Sequence, residues 1–98
     1  MLPVVAQAAS SSVTISGTKL SKTGYYKTSD LNTNLTNPPA GQNSGYVHWD
    51  SSNAILTLYG ATLNGGVDYS THGKLTVTLA ENSQNSITST QGQGIKCS

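Results

Sequence analysis

Two stretches of this chain alternate aliphatic and hydroxyl residues, Leu56-Thr57-Leu58 and Leu75-Thr76-Val77-Thr78-Leu79, and they begin 19 residues apart. Successive side chains on a strand point to opposite faces, so each stretch offers one apolar face and one polar face. Leu56 and Leu58 point inward in the first, and Leu75, Val77 and Leu79 in the second. Gly60, Asn64-Gly65-Gly66, His72-Gly73 and the run Glu81-Asn82-Ser83-Gln84-Asn85 punctuate the pattern, and Ile87 and Ile95 supply later inward positions. A repeat of about 20 residues built from short strands with Gly/Asn corners predicts a β-solenoid. The alternative is a small β-sandwich with hairpins at similar spacing. Only 16 Val, Ile and Leu residues follow residue 8, which favours the thin core of a solenoid.

Upstream of this repeat, Val13-Thr14-Ile15-Ser16 alternates until Gly17 and predicts a strand, and the aromatic stretch Gly24–Thr28 predicts another. Residues 29–45 carry Pro38-Pro39, Gly41 and Gly45 among Asn, Ser and Thr, and predict a long loop. Tyr46–Asp50 alternates again, with Val47 and Trp49 on one face and Tyr46, His48 and Asp50 on the other. Ser51-Ser52-Asn53 makes a turn. The expected organisation is one all-β domain over residues 9–98, a solenoid of about two rungs with an N-terminal strand or hairpin as its cap.

Composition excludes several partners. Ser, Thr, Asn, Gln and Gly make up about half the chain; all five cations are lysine, and the net charge is +1. Binding a phosphate backbone needs clustered cations, so nucleic acid is not expected. Electrostatic membrane binding fails on the same ground, and no apolar run approaches the ~20 residues of a spanning helix. Residues 1–8 end in Ala6-Gln7-Ala8, the small-x-small pattern of a signal-peptide cleavage site, and read as the remnant of a leader or as an apolar arm. Together with a single cysteine, Cys97, this points to a secreted or cell-surface protein without an internal disulfide.

A likeness runs through the same residues. Val13–Leu20, then Gly24-Tyr25-Tyr26, Val47-His48-Trp49-Asp50 and Ala54–Leu63 stand in the order of the opening rungs of the carbohydrate-binding-domain surface proteins of Gram-positive bacteria. Leu75–Leu79, Asn82, Ser86-Ile87 and Gly94-Ile95 resemble the next rung. The resemblance implies a right-handed parallel β-helix, secretion and surface display. For a pectin-binding branch it also implies an acidic polysaccharide as ligand, with calcium. The chain departs from the pattern by stopping after about two rungs and by carrying only four acidic residues.

No catalytic site is expected. Asp30-Leu31-Asn32-Thr33-Asn34 opens like a calcium loop, but Leu35 stands where glycine belongs and Gly41 where the bidentate glutamate belongs. An Asn/Asp-rich turn accounts for it better, and no metal site is assigned. Ser70, His48, His72 and Asp50 contain the residue types of a triad, but nothing resembles a nucleophile elbow. A non-enzymatic binding domain is therefore expected, with Tyr46, His48, Asp50 and Tyr59 as its carbohydrate contacts, because aromatic planes beside polar groups match the mixed faces of a sugar ring. Trp49, sharing a face with Val47, belongs to the core. Outward threonines 57, 76 and 78 suggest an ice-binding array, but the 19-residue offset puts Tyr59 opposite Thr78 and breaks it. The other class of function is structural. Open strand edges on so weakly charged a chain favour pairing with copies of itself, giving a homo-oligomer, a surface filament or an adhesin.

Overall fold

The computed structural model describes residues 11–70, 73–89 and 94–97. Segment 1–8 and His72 lie outside them. Eleven strands and no helix form among the described residues, so the protein is all-β; no helix long and apolar enough to cross a membrane is present there.

Strands β1 (Val13–Ile15) and β2 (Thr18–Leu20) form a hairpin through Ser16 and Gly17, both with positive φ. β3 (Gly24–Lys27) turns back as β4 (Asp30–Leu35), then pairs on its other side with β5 (Tyr46–Asp50). β5 pairs antiparallel with β6 (Ile55–Tyr59) across a turn over residues 51–54. Three short strands follow: β7 (Thr62–Leu63), β8 (Val67–Tyr69) and β9 (Thr76–Leu79). The last two are β10 (Ser86–Ile87) and β11 (Ile95–Cys97). They assemble into a five-stranded sheet β4-β3-β5-β6-β9, a four-stranded sheet β11-β8-β1-β2 and the pair β10-β7.

The two parts of the chain pair differently. Up to β6 every pairing is antiparallel, whereas β6–β9, β7–β10 and β8–β11 are parallel and run in order. Leu56 pairs with Val77, 21 residues on; Thr62 with Ser86, 24 on; and Val67 with Ile95, 28 on. The expected 19-residue register is therefore corrected to 21 on the five-stranded sheet. Thr57 stands beside Thr78, and the pairing of Tyr59 with Thr78 does not occur. The sheets do not close on themselves, and their packing about one core suits a sandwich as well as a coil.

That core takes the inward residues of every sheet: Val13, Ile15, Leu20, Val67 and Tyr69 from one, Tyr26, Val47, Trp49, Leu56 and Leu58 from another, and Leu63 from the third. Trp49 is wholly buried, its ring edge-on to Tyr69 at 6.4 Å. The long loop predicted over 29–45 is corrected in its first part, because Asp30–Leu35 is strand β4. Its Leu31 is buried in the core, and Thr33 Oγ1 donates to Asp30 Oδ2 at 2.7 Å. An edge strand needs only one apolar face, so Asn and Thr can fill the other.

Candidate functional site

The outward residues of β3, β5 and β6 collect on one face because the antiparallel registers stack them in rows. Lys27 pairs with Tyr46 and Tyr46 with Tyr59; one row over, Tyr25 pairs with His48 and His48 with Thr57. Side chains directly opposite in such a ladder lie close enough to touch. The rings of Tyr46 and Tyr59 stack at 4.7 Å between centroids and 13° between planes. Tyr25 leans on His48 at 4.6 Å, and lies 6.1 Å from Tyr46 and 6.4 Å from Tyr59. Three tyrosines and a histidine thus form one aromatic platform, continued across β6 and β9 by Thr57 and Thr78.

Exposure divides the platform. Tyr46 is only 7% exposed and serves as backing for its neighbours. Tyr25, His48 and Tyr59 are half-buried and carry the accessible ring surface. The Tyr59 phenol is held above its ordinary pKa by burial first, then by the phenols of Tyr25 and Tyr46, so its hydroxyl stays a neutral donor.

Asp50 ends the β5 row as the anchor of the following turn. Its Oδ1 accepts the backbone N–H groups of Ser52 (3.1 Å) and Asn53 (3.2 Å), and Oδ2 accepts Asn53 Nδ2 at 2.9 Å. The Asn53 side-chain amide is the main reason its pKa lies below the ordinary carboxylate value; the backbone amides of Asn53 and Ser52 and the nearby His48 act the same way, and burial opposes them. A carboxyl with a lowered folded pKa stabilises the protein fully above its unfolded value and loses that contribution as pH falls through the folded value. The stability gap between the wild type and Asp50→Asn, measured by urea unfolding, is therefore expected to be constant above about pH 5 and to shrink below about pH 4.

Of the residues singled out from sequence, Tyr46, His48, Asp50 and Tyr59 all lie on this face. Tyr25 belongs with them and was not foreseen as a contact, because its place depends on β3 pairing with β5 across a long connection. Parity within Gly24–Lys27 was the available signal, since Tyr26 is buried and Tyr25 points the other way. Of the Ser70–His48–Asp50 combination, Asp50 is committed to its turn by its hydrogen bonds with Ser52 and Asn53. Among the described residues no three His, Cys, Asp or Glu side chains converge on a point where a metal ion would sit. Cys97 is exposed and free.

Compared with family models, curated proteins and solved structures, the chain finds no match.

Proposed function

We propose that this protein is a secreted, non-catalytic surface domain that binds carbohydrate through the outer face of its five-stranded sheet. The observation that carries the proposal is the aromatic platform of Tyr25, Tyr46, His48 and Tyr59. Aromatic planes bury the C–H faces of sugars, and polar groups at their rim take the hydroxyls. The likeness to carbohydrate-binding surface proteins supports the same reading and extends it to polysaccharides, acidic ones and calcium included. On this reading β6-β7-β8 and β9-β10-β11 are two rungs of a right-handed parallel β-helix capped by the antiparallel strands before them. Their in-order parallel pairing supports that fold.

Affinity electrophoresis against a panel of neutral and acidic polysaccharides, with and without calcium, tests the binding. At least one polysaccharide is expected to retard the wild type. The double variant Tyr25→Ala/His48→Ala is expected to lose about tenfold or more in affinity, since each exposed ring contributes on the order of 1 kcal/mol. Free migration through every gel would overturn the proposal.

A second reading, self-assembly through strand edges, is favoured by the exposed Leu79 (61%) and Ile95 (44%) on β9 and β11. A single monomeric species in sedimentation at all concentrations would remove it.

A further inference from the structure

The successive strand offsets of 21, 24 and 28 residues mean that the second set of strands is joined by longer corners than the first. At the first corner only Gly60 and Ala61 separate β6 from β7, whereas Ala80–Asn85 separate β9 from β10. The extra residues stand out from the sheet as a tight turn. Ser83 N and Oγ both donate to Ala80 O, at 3.2 and 2.6 Å, and Asn82 takes a positive φ. Asn85 ties the corner down, its Oδ1 accepting Ala61 N–H at 2.9 Å and its Nδ2 donating to Ser83 Oγ at 2.7 Å.

The opposite wall comes from the loop before β5. Gly45 N–H is shared between Tyr59 O (2.8 Å) and Gly60 O (3.0 Å), which clamps that loop to the end of β6. Gly60 has φ +60°, and a Cβ there would come within 2.6 Å of Ser44 Cβ, so only glycine permits this approach. Between the two walls lies an open groove of about 480 Å³, floored by Tyr59 and Gly60 and flanked by Asn43, Glu81, Asn82 and Gln84. The side chains of these four flanking residues make no hydrogen bond to another described residue, so their donors and acceptors are available to a ligand.

We infer that this groove is a subsite for an uncharged pyranose unit of a polysaccharide, entered from the aromatic platform by way of Tyr59. The inference rests on the carbohydrate reading above and departs from its extension to acidic polysaccharides. Tyr59 belongs to both places, stacked on Tyr46 and flooring the groove. Amide side chains that both donate and accept, next to one aromatic ring, suit a ring of neutral hydroxyls. Among the described residues that line the groove, Glu81 alone is charged. Its carboxylate accepts sugar hydroxyls well, but it repels the carboxylate of a uronic acid, so the subsite selects against acidic chains.

Calorimetric titration of the full chain with neutral hexose oligosaccharides and with oligogalacturonate, with and without calcium, tests the subsite. A neutral oligosaccharide is expected to bind at least about tenfold more tightly than the acidic one. Glu81→Ala should weaken it about tenfold and Gln84→Ala about fivefold, as expected for a lost charged and a lost neutral hydrogen bond. Both residues are exposed, and circular dichroism checks that the variants stay folded. Tighter binding of oligogalacturonate overturns the inference. So does neutral binding that Tyr25→Ala/His48→Ala weakens but Glu81→Ala and Gln84→Ala leave unchanged, and in that case the platform stands without the groove. Absence of binding to every oligosaccharide overturns both.

Discussion

Trp49→Ala is expected to lower stability by about 3–5 kcal/mol, a large part of the about 5–15 kcal/mol that a domain of this size possesses. The indole is wholly buried where the two larger sheets meet: it sits on β5 of one and lies edge-on to Tyr69 on β8 of the other. Its backbone neighbours in the sheet are Gly24 and Leu56, and Gly24 has no side chain with which to fill a void. The indole N–H also makes a long hydrogen bond, 3.4 Å, to Ser11 O. Ser11 is itself fastened to Ser51 O through both its N–H (2.9 Å) and its Oγ (2.7 Å). Trp49→Phe keeps much of the volume and forfeits that donor, so about 1–2 kcal/mol is expected. Urea unfolding followed by circular dichroism at 222 nm measures both. A loss under about 1 kcal/mol for the alanine variant would mean that Trp49 does not bridge the sheets.

The second large effect is a contrast between two leucines that pair with each other. Leu58 on β6 and Leu79 on β9 are parallel neighbours with the same inward parity, yet Leu58 is wholly buried and Leu79 is 61% exposed. Leu58→Ala is expected to cost about 2–5 kcal/mol, because its neighbours cannot collapse into the space it leaves. Leu79→Ala is expected to cost about 0.5 kcal/mol or less, the ordinary range for a surface substitution. Leu79, Val77, Ile87 and Ile95 together line an open apolar hollow of about 340 Å³ beside Leu58 and Asn85. If strand-edge association occurs, Leu79→Lys should abolish it while leaving the monomer as stable as before. Equal costs for the two alanine variants would show that Leu79 is covered in solution.

Alternation alone placed β1, β5, β6 and β9 and assigned the faces of β1, β5 and β6, because burial enforces the two-residue period wherever one face meets the core. Aromatic propensity placed β3 without assigning its faces, and Leu79 and Ile95, expected inward, are exposed. The register between β6 and β9 was misjudged by two residues because of that same two-residue period. A shift of two preserves every inward and outward assignment, so Leu56 matches Leu75 or Val77 equally well by pattern. The structure selects Val77. β4 escaped notice because Leu31 is its only buried residue. The two- and three-residue strands β7, β8, β10 and β11 are too short for a period to emerge. The platform was legible as far as the parity of single strands carried it: Tyr46, His48 and Asp50 share a face within β5, and Tyr59 faces outward on β6. Tyr25 and the groove depend on which strands become neighbours and how long the corners are. Those properties belong to the assembled sheets and to no single stretch of sequence.

The four-stranded sheet carries a consequence for the order of events during synthesis. Its strands run β11-β8-β1-β2, so a strand near the start of the chain, Val13–Ile15, lies next to Val67–Tyr69, whose other neighbour is Ile95–Cys97. The β1–β2 hairpin leaves the ribosome with the edge of β1 unmatched, and residues 21–69 must be made before that edge is filled. Loop closure over such distances is slow, and the waiting edge is open to wrong partners meanwhile. The five-stranded sheet differs, since residues 24–59 build four of its strands with antiparallel neighbours. That sheet can form first and serve as the surface on which the other folds.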